Sequence, residues 1–472
     1  MFSSGMLALL LSIGLTALWV FVLVFSQKYA TLYPATQSKQ ILTVARVIVA
    51  GVAGWMIATT SFVSSSLYLA AGFTDSFYTD LGPLASGLFT PFMQMLTANA
   101  WALGLLQVAT VAGLALVAGG YALRITLPIT IGLYFVVLGT LLKASLGGHL
   151  GLQSFYLLVV LWGIYETLAY YRRSNSRSQA VLYTQAVYVL FIAIAVPYTF
   201  AVINKLKILG VAWFDSANIR SYLHVNEYLG YEYWQWPLSL WSTTWPHELF
   251  YIGGIAVVLL QLLYALMVFF SWARLLLSVA IILMHVAIYS FMGFLFYDLI
   301  LIQLIIVYAY FLGRKNGVVT STRPLPLVFV GALGVMIFIP MYLTIIDKTW
   351  FPFTNWGVYY QPSTRLAGDS FPYTSINMQY ENGTSEQLSI PAFQRLAGIS
   401  TYPRSRCYWR LDVAMHVADC RLYFERIVAI HNERLPQAER IAHVQLTFHY
   451  WSLSELQTQQ PLMSTSSMIR VY

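Results

Sequence analysis

Of the 472 residues, 58% are hydrophobic and only 9% are charged, whereas a soluble domain carries about 25% charged residues because its surface meets water. A surface this poor in charge faces lipid, which excludes soluble enzymes and water-borne binding modules. The formal net charge of +8 does not indicate a nucleic-acid partner, because the basic residues stand singly or in short groups between apolar stretches instead of in runs.

A hydrocarbon core about 30 Å thick takes about 20 apolar residues per helix, and the chain supplies such stretches repeatedly from Met6 to Ile346. The first, Met6 to Ser26, has no basic residue before it and Lys28 just after it. That is the reverse of a signal peptide, so a retained helix is expected. Further spans are expected at Leu42 to Val63, Ala98 to Ala118, Arg124 to Ser145, Ser154 to Tyr171 and Gln185 to Asn204. After a long aromatic connection come Leu249 to Phe270, Leu275 to Gly293, Phe294 to Leu312 and Pro326 to Thr344. The expected fold class is an all-α polytopic membrane bundle of about ten transmembrane helices, with a small extramembrane α+β or β-rich domain at the C-terminus. The division is 1–40 for an extra helix and loop, 41–347 for the main bundle and 348–472 for the C-terminal domain.

Short cytoplasmic loops carry an excess of Lys and Arg. One set of loops holds Lys28 and Lys39, Arg124, Arg172, Arg173 and Arg177, Arg274, and Arg314, Lys315 and Arg323. The other set contains Ser64 to Thr97, without Lys or Arg, and Leu206 to Glu248, with only Lys207 and Arg220. This asymmetry puts the N-terminus, both long connections and the tail on the non-cytoplasmic side, meaning periplasmic, extracellular or lumenal. In the tail, Val444 to Trp451 alternates like a strand, and Arg421 to Leu435 spaces Leu422, Ile427 and Ile430 toward one helical face. Cys407 and Cys420 both lie there, on a side where disulfides persist; they form either a disulfide or two unrelated buried thiols. Asn382, Gly383 and Thr384 form a glycosylation acceptor tripeptide that matters only in a eukaryotic secretory pathway.

A charge at mid-bilayer costs about 2.5 to 3.5 kcal/mol on insertion scales, so an intramembrane ionisable residue needs a partner or a role. The candidates are Lys143, Glu166, Lys205 beside Asn204, Glu248, His285 and Asp298. For Lys143 and Asp298, snorkelling from a span end to the interface is the favoured reading. Lys205 closes a span ahead of a connection bearing Trp213, Asp215, Trp234, Trp236, Trp241 and Trp245. It serves either as an interfacial anchor or, with its ammonium desolvated by burial, as a general base. The tryptophans form either an interface belt or the cap of a cavity for a flat apolar ligand. His285 lies deep in an apolar span, where a histidine is more often structural, and His149 shares a membrane face with Lys205. No spacing of His and carboxylates matches a metal motif, so no metal is expected. No repeat and no nucleotide-binding fingerprint occurs, which argues against an ATP-driven machine.

Four places together resemble the vitamin K-dependent γ-carboxylase and its bacterial relatives, which share the horizontally transferred transmembrane (HTTM) domain. They are the early arginine Arg46 in Leu42 to Val47, the "AVINKLKILGVAW" stretch Ala201 to Trp213, the Pro246, His247, Glu248, Leu249 helix start, and Met284, His285 running to Phe291, Met292, Gly293 and Phe294. The resemblance covers about residues 40 to 360. It implies that Lys205 is the catalytic base, that His285 and His149 are active-site histidines, and that Arg46, Trp213 and Glu248 contact the cofactor. The cofactor so implied is a reduced, vitamin K-like quinone whose oxidation by O₂ generates a base strong enough to carboxylate glutamate in a peptide or protein. The Lys207 to Val211 insert, the short tail and the leading Met6 to Ser26 span depart from the family pattern. Two other readings stand beside this one. In the first, a non-enzymatic maturation or partner protein binds a client through its tail. In the second, the chain is a small-molecule transporter, although transporters place polar groups at the midplane and often carry inverted repeats.

Overall fold

The computed structural model describes residues 4–59, 100–138, 152–171, 176–209, 245–292, 296–320, 325–346, 370–388, 428, 432, 436–452 and 463–470. Among these are ten α-helices: α1 Ser4–Ser26, α2 Ala35–Thr59, α3 Ala100–Gly119, α4 Leu123–Val137, α5 Leu152–Tyr170, α6 Ser176–Leu209, α7 His247–Leu263, α8 Ser271–Met292, α9 Tyr297–Asn316 and α10 Leu327–Ile346. Seven helices among the described residues are long and apolar enough to cross a membrane, while Leu123–Val137 and Leu327–Tyr342 are shorter apolar helices. The fold is therefore mostly helical, with the lengths and composition of a multi-pass membrane protein.

In lipid a helix satisfies its own backbone polar groups, so burial separates central helices from lipid-facing ones. α6 is the axis: 89% of its apolar window is buried, against 17% for α1. It packs against α2, α5, α7 and α10, while α1 lies against α10 and α3 lies between α2 and α4. Pro197 sits inside α6, where its missing N–H leaves the Ala193 carbonyl without its usual intrahelical donor.

At one end of the bundle the chain between α1 and α2 folds back on itself. There β1 (Thr31–Leu32) pairs antiparallel with β2 (Val319–Thr320) from the far side of α9. Arg274, in the first turn of α8, lies beneath that segment with none of its surface exposed. Its guanidinium donates to the Tyr33 hydroxyl (2.7 Å), to the carbonyls of Met267 (3.1 Å) and Val268 (3.3 Å), and to the Thr31 carbonyl. The rings of Tyr33 and Phe191 lie 4.9 and 5.0 Å from it, within cation–π range. Read as a loop cation, Arg274 is instead an internal clasp, because the returning Thr31–Tyr33 segment covers it and supplies acceptors. Gly313 of α9 has no room for a side chain here, since an added Cβ would meet the Tyr33 ring at 2.7 Å.

Beyond α10 the described tail is a four-stranded antiparallel sheet in the order β4-β3-β5-β6, with β3 Ser370–Tyr380, β4 Ser385–Leu388, β5 Ile441–Ser452 and β6 Met463–Arg470. The alternating stretch 444–451 falls within β5. Ile376, Met378 and Val444 are buried from this sheet. The β3–β4 turn places Gly383 at φ +83, and the Asn382 side chain accepts from the Thr384 backbone (2.9 Å) and hydroxyl (2.6 Å). Most of Arg421 to Leu435 lies outside the described residues. Within it Val428 and Asn432 are helical, and the Asn432 amide both donates to and accepts from the backbone of Ile441.

Arg274→Met removes every donor from this clasp and strands several buried acceptors, each costing about 1 to 3 kcal/mol. A stability loss of at least about 3 kcal/mol is expected by SDS or thermal unfolding in detergent micelles, with Arg274→Lys recovering part of it because ammonium lacks the planar fork. An Arg274→Met protein that unfolds with the wild type would remove the clasp from this description.

Candidate active site

Helical spacing brings polar positions of four helices to one buried region. On α8, Arg274, Ser278, Ile281 and His285 recur at intervals of four and three, one face of a helix, and all are buried. The opposite face, with Trp272, Leu276, Leu283 and Val286, is exposed and fits lipid. On α6, Tyr198 and Lys205 are two turns apart on one face, and both are 4% exposed. Gln261 comes from α7, Tyr264 from the 3₁₀ segment Tyr264–Val268 that follows it, and Gln303 and Asp298 from α9.

Lys205 Nζ donates to Gln261 Oε1 at 3.1 Å. His285 Nε2 meets the Tyr198 hydroxyl at 3.3 Å. Gln303 Nε2 donates to the same hydroxyl at 3.1 Å, and Gln303 Oε1 accepts from the Tyr264 hydroxyl. His285 is also surrounded by rings, with Tyr198 and Phe296 centroids 6.0 and 5.6 Å away, and Tyr198 packs edge-on to Tyr264 at 4.8 Å. Lys205 lies within electrostatic range of His285. His285 Nδ1 is buried and has no hydrogen-bond partner.

Its place near a span end leads to the expectation that Asp298 snorkels outward, but its side chain is enclosed within the bundle. It is 1% exposed and lies within electrostatic range of the phenols of Tyr134, Tyr198 and Tyr297. The first turn of α9 starts inside the bundle, and a carboxylate there also suits the positive end of the helix dipole. On α5, Gln153 and Ser154 are buried with unpartnered side chains, next to Phe155, which stacks on Tyr134.

The structure thus joins Lys205 and His285 and adds Tyr198, Gln261, Tyr264, Gln303 and Asp298 to them. Arg46 is engaged elsewhere. It donates to the Ala118 carbonyl at 3.4 Å, faces the Tyr165 ring at 6.0 Å, and fills the space beside Gly120, whose φ is +81. Glu248 is exposed in the first turn of α7. Glu166 pairs with Arg124 at 3.4 Å on the surface, a contact worth little. His149, Trp213, Lys143, Cys407 and Cys420 lie outside the described residues. Compared with the models of known protein families, with curated proteins and with solved structures, the chain matches none.

Tyr264→Phe and Tyr198→Phe each leave Gln303 with an unpaired buried group and are expected to cost about 1 to 3 kcal/mol. Because both tyrosines act through one amide, the double variant should differ from the sum of the singles by about 0.5 kcal/mol or more in SDS unfolding. Strict additivity would mean that the three side chains do not form a connected network.

Proposed function

We propose that this chain is a multi-pass membrane enzyme with chemistry like that of the vitamin K-dependent γ-carboxylase, and that Lys205 is its base and His285 its principal hydrogen-bonding residue. The observation that carries the reading is the burial of Lys205 and His285, each 4% exposed, on helices α6 and α8 and within electrostatic range of one another. Lys205 Nζ, held at 3.1 Å by the neutral amide of Gln261, is placed to accept a proton from a weak acid bound in this layer.

A reduced quinone fits these residues on one observation. It is a flat ring with two oxygens, and the site has aromatic walls and an imidazole nitrogen, His285 Nδ1, that is buried with no partner. When bound, and with O₂ as oxidant, such a quinol would supply a base strong enough to remove a glutamate γ-proton, so that CO₂ adds at that carbon while the quinol ends as its epoxide and the second oxygen atom as water. The protein's own part is to accept a proton at Lys205 Nζ, to hold the ring oxygen with His285, and to keep water away with the packing of α6, α8 and α9.

In this reading all ten helices cross the bilayer and the tail lies on the non-cytoplasmic side, where it meets a glutamate-containing peptide or protein. Supporting the orientation, Lys28, Lys39, Arg314 and Lys315 flank the paired β1 and β2 and so gather at one end of the bundle, as cytoplasmic cations do.

The test supplies reduced quinone, labelled bicarbonate and a glutamate peptide to the protein in nanodiscs, first without air and then with it. Wild type is expected to incorporate label and form quinone epoxide, and Lys205→Ala to lose about 100-fold or more of both while remaining folded. Neither product from an intact wild type would reject the carboxylase chemistry, and undiminished activity in Lys205→Ala would reject the base.

A further inference from the structure

The direction of the hydrogen bonds through Gln303 determines which nitrogen of His285 carries the proton. The Tyr264 hydroxyl has one proton and gives it to Gln303 Oε1. The amide is thereby oriented with its Nε2 toward Tyr198, and it donates to that hydroxyl oxygen at 3.1 Å. Tyr198 then has a single proton left to place, and the group facing it at 3.3 Å is His285 Nε2. A hydroxyl that accepts from the amide and donates onward requires a bare Nε2. In a neutral imidazole the proton then sits on Nδ1, the nitrogen that is buried without a partner. A wholly buried N–H donor lacking an acceptor is costly and marks a place where a ligand completes the bonding.

We propose that Tyr264, Gln303 and Tyr198 form a one-way hydrogen-bond relay that holds His285 as the Nδ1–H tautomer, presenting a fixed donor to an oxygen of a bound ligand. Gln303 and Tyr198 are positioning residues in this device, since they act on the ligand only through the imidazole. Gln303 is the element that sets direction: an amide has a distinct donor end and acceptor end, whereas a leucine in its place would leave Tyr198 free to accept from His285 or donate to it. The identity of the oxygen rests on the carboxylase-like reading, in which it belongs to the reduced quinone. The tautomer itself does not rest on that reading.

The experiment is ¹⁵N NMR on histidine-labelled protein in nanodiscs, where protonated and bare imidazole nitrogens resonate far apart. The chain has eight histidines, and the His285 signals are assigned by their loss in His285→Gln. Wild type is expected to show a protonated Nδ1 and a bare Nε2, while Tyr198→Phe and Gln303→Leu should each introduce the Nε2–H form. A wild-type His285 protonated on Nε2, or on both nitrogens, would overturn the relay without reference to any variant. So would a tautomer unmoved in both variants. Adding a singly prenylated naphthoquinol to the wild type should then shift the Nδ1–H resonance. An unmoved resonance would overturn the ligand contact while leaving the relay, and an unchanged tautomer assignment separates that outcome from the first.

Discussion

Arg274 is the interaction on which the geometry of the bundle turns. A guanidinium with no exposed surface has to find acceptors within the protein, and it finds them on three separate segments: the Thr31–Tyr33 return, the 3₁₀ stretch after α7, and, through the Phe191 ring, the central helix α6. These contacts fix the rotation of α8 about its own axis. Because α8 repeats every 3.6 residues, fixing Arg274 inward also fixes Ser278 and His285 inward. A clasp near one end of the bundle therefore aims an imidazole three turns away at the partners that α6 and α9 present.

The same economy of polar groups explains the layer around His285. Lipid offers no hydrogen bonds, so polar side chains in the bundle turn toward one another. Tyr264, Gln303 and Tyr198 are bonded in series and Tyr198 meets His285, while Lys205 donates to Gln261. His285, bonded to this set through Nε2, keeps its Nδ1 buried without a hydrogen-bond partner. Satisfied hydrogen-bond networks make rigid cores, so the position of that imidazole is set by the groups bonded around it.

The helical, membrane-embedded character of the chain is legible from hydropathy alone, since runs of about 20 apolar residues with few charges have one physical solution. The strand within 444–451 was legible from its alternation. Lys205 and His285 stood out because ionisable groups are rare in such runs. The neutral members of the site did not, because tyrosine and glutamine in a greasy helix carry no charge to explain. Their one signal was spacing: Ser278 and His285 share the face of Arg274, and Tyr198 shares that of Lys205. Arg274 and Asp298 were misplaced for a common reason. Position near a span end implies the interface only if nothing folds over that end, and here the Thr31–Tyr33 segment covers one while the packed start of α9 encloses the other. Whether a side chain near a helix end is covered depends on contacts hundreds of residues apart in sequence, such as that between Arg274 and Tyr33.

The central claim is that the buried layer joining Lys205 and His285 is where a quinone ring sits. Photolabelling with an azido-naphthoquinone in nanodiscs, followed by peptide mapping, tests it most directly. The account requires label on the α6 segment 198–205 and the α8 segment 281–288, reduced by excess unlabelled quinone and lost from α8 in Arg274→Lys, where the aim of His285 is relaxed. Label confined to the lipid-facing residues of α1 or α3, with no competition by unlabelled quinone, would contradict it.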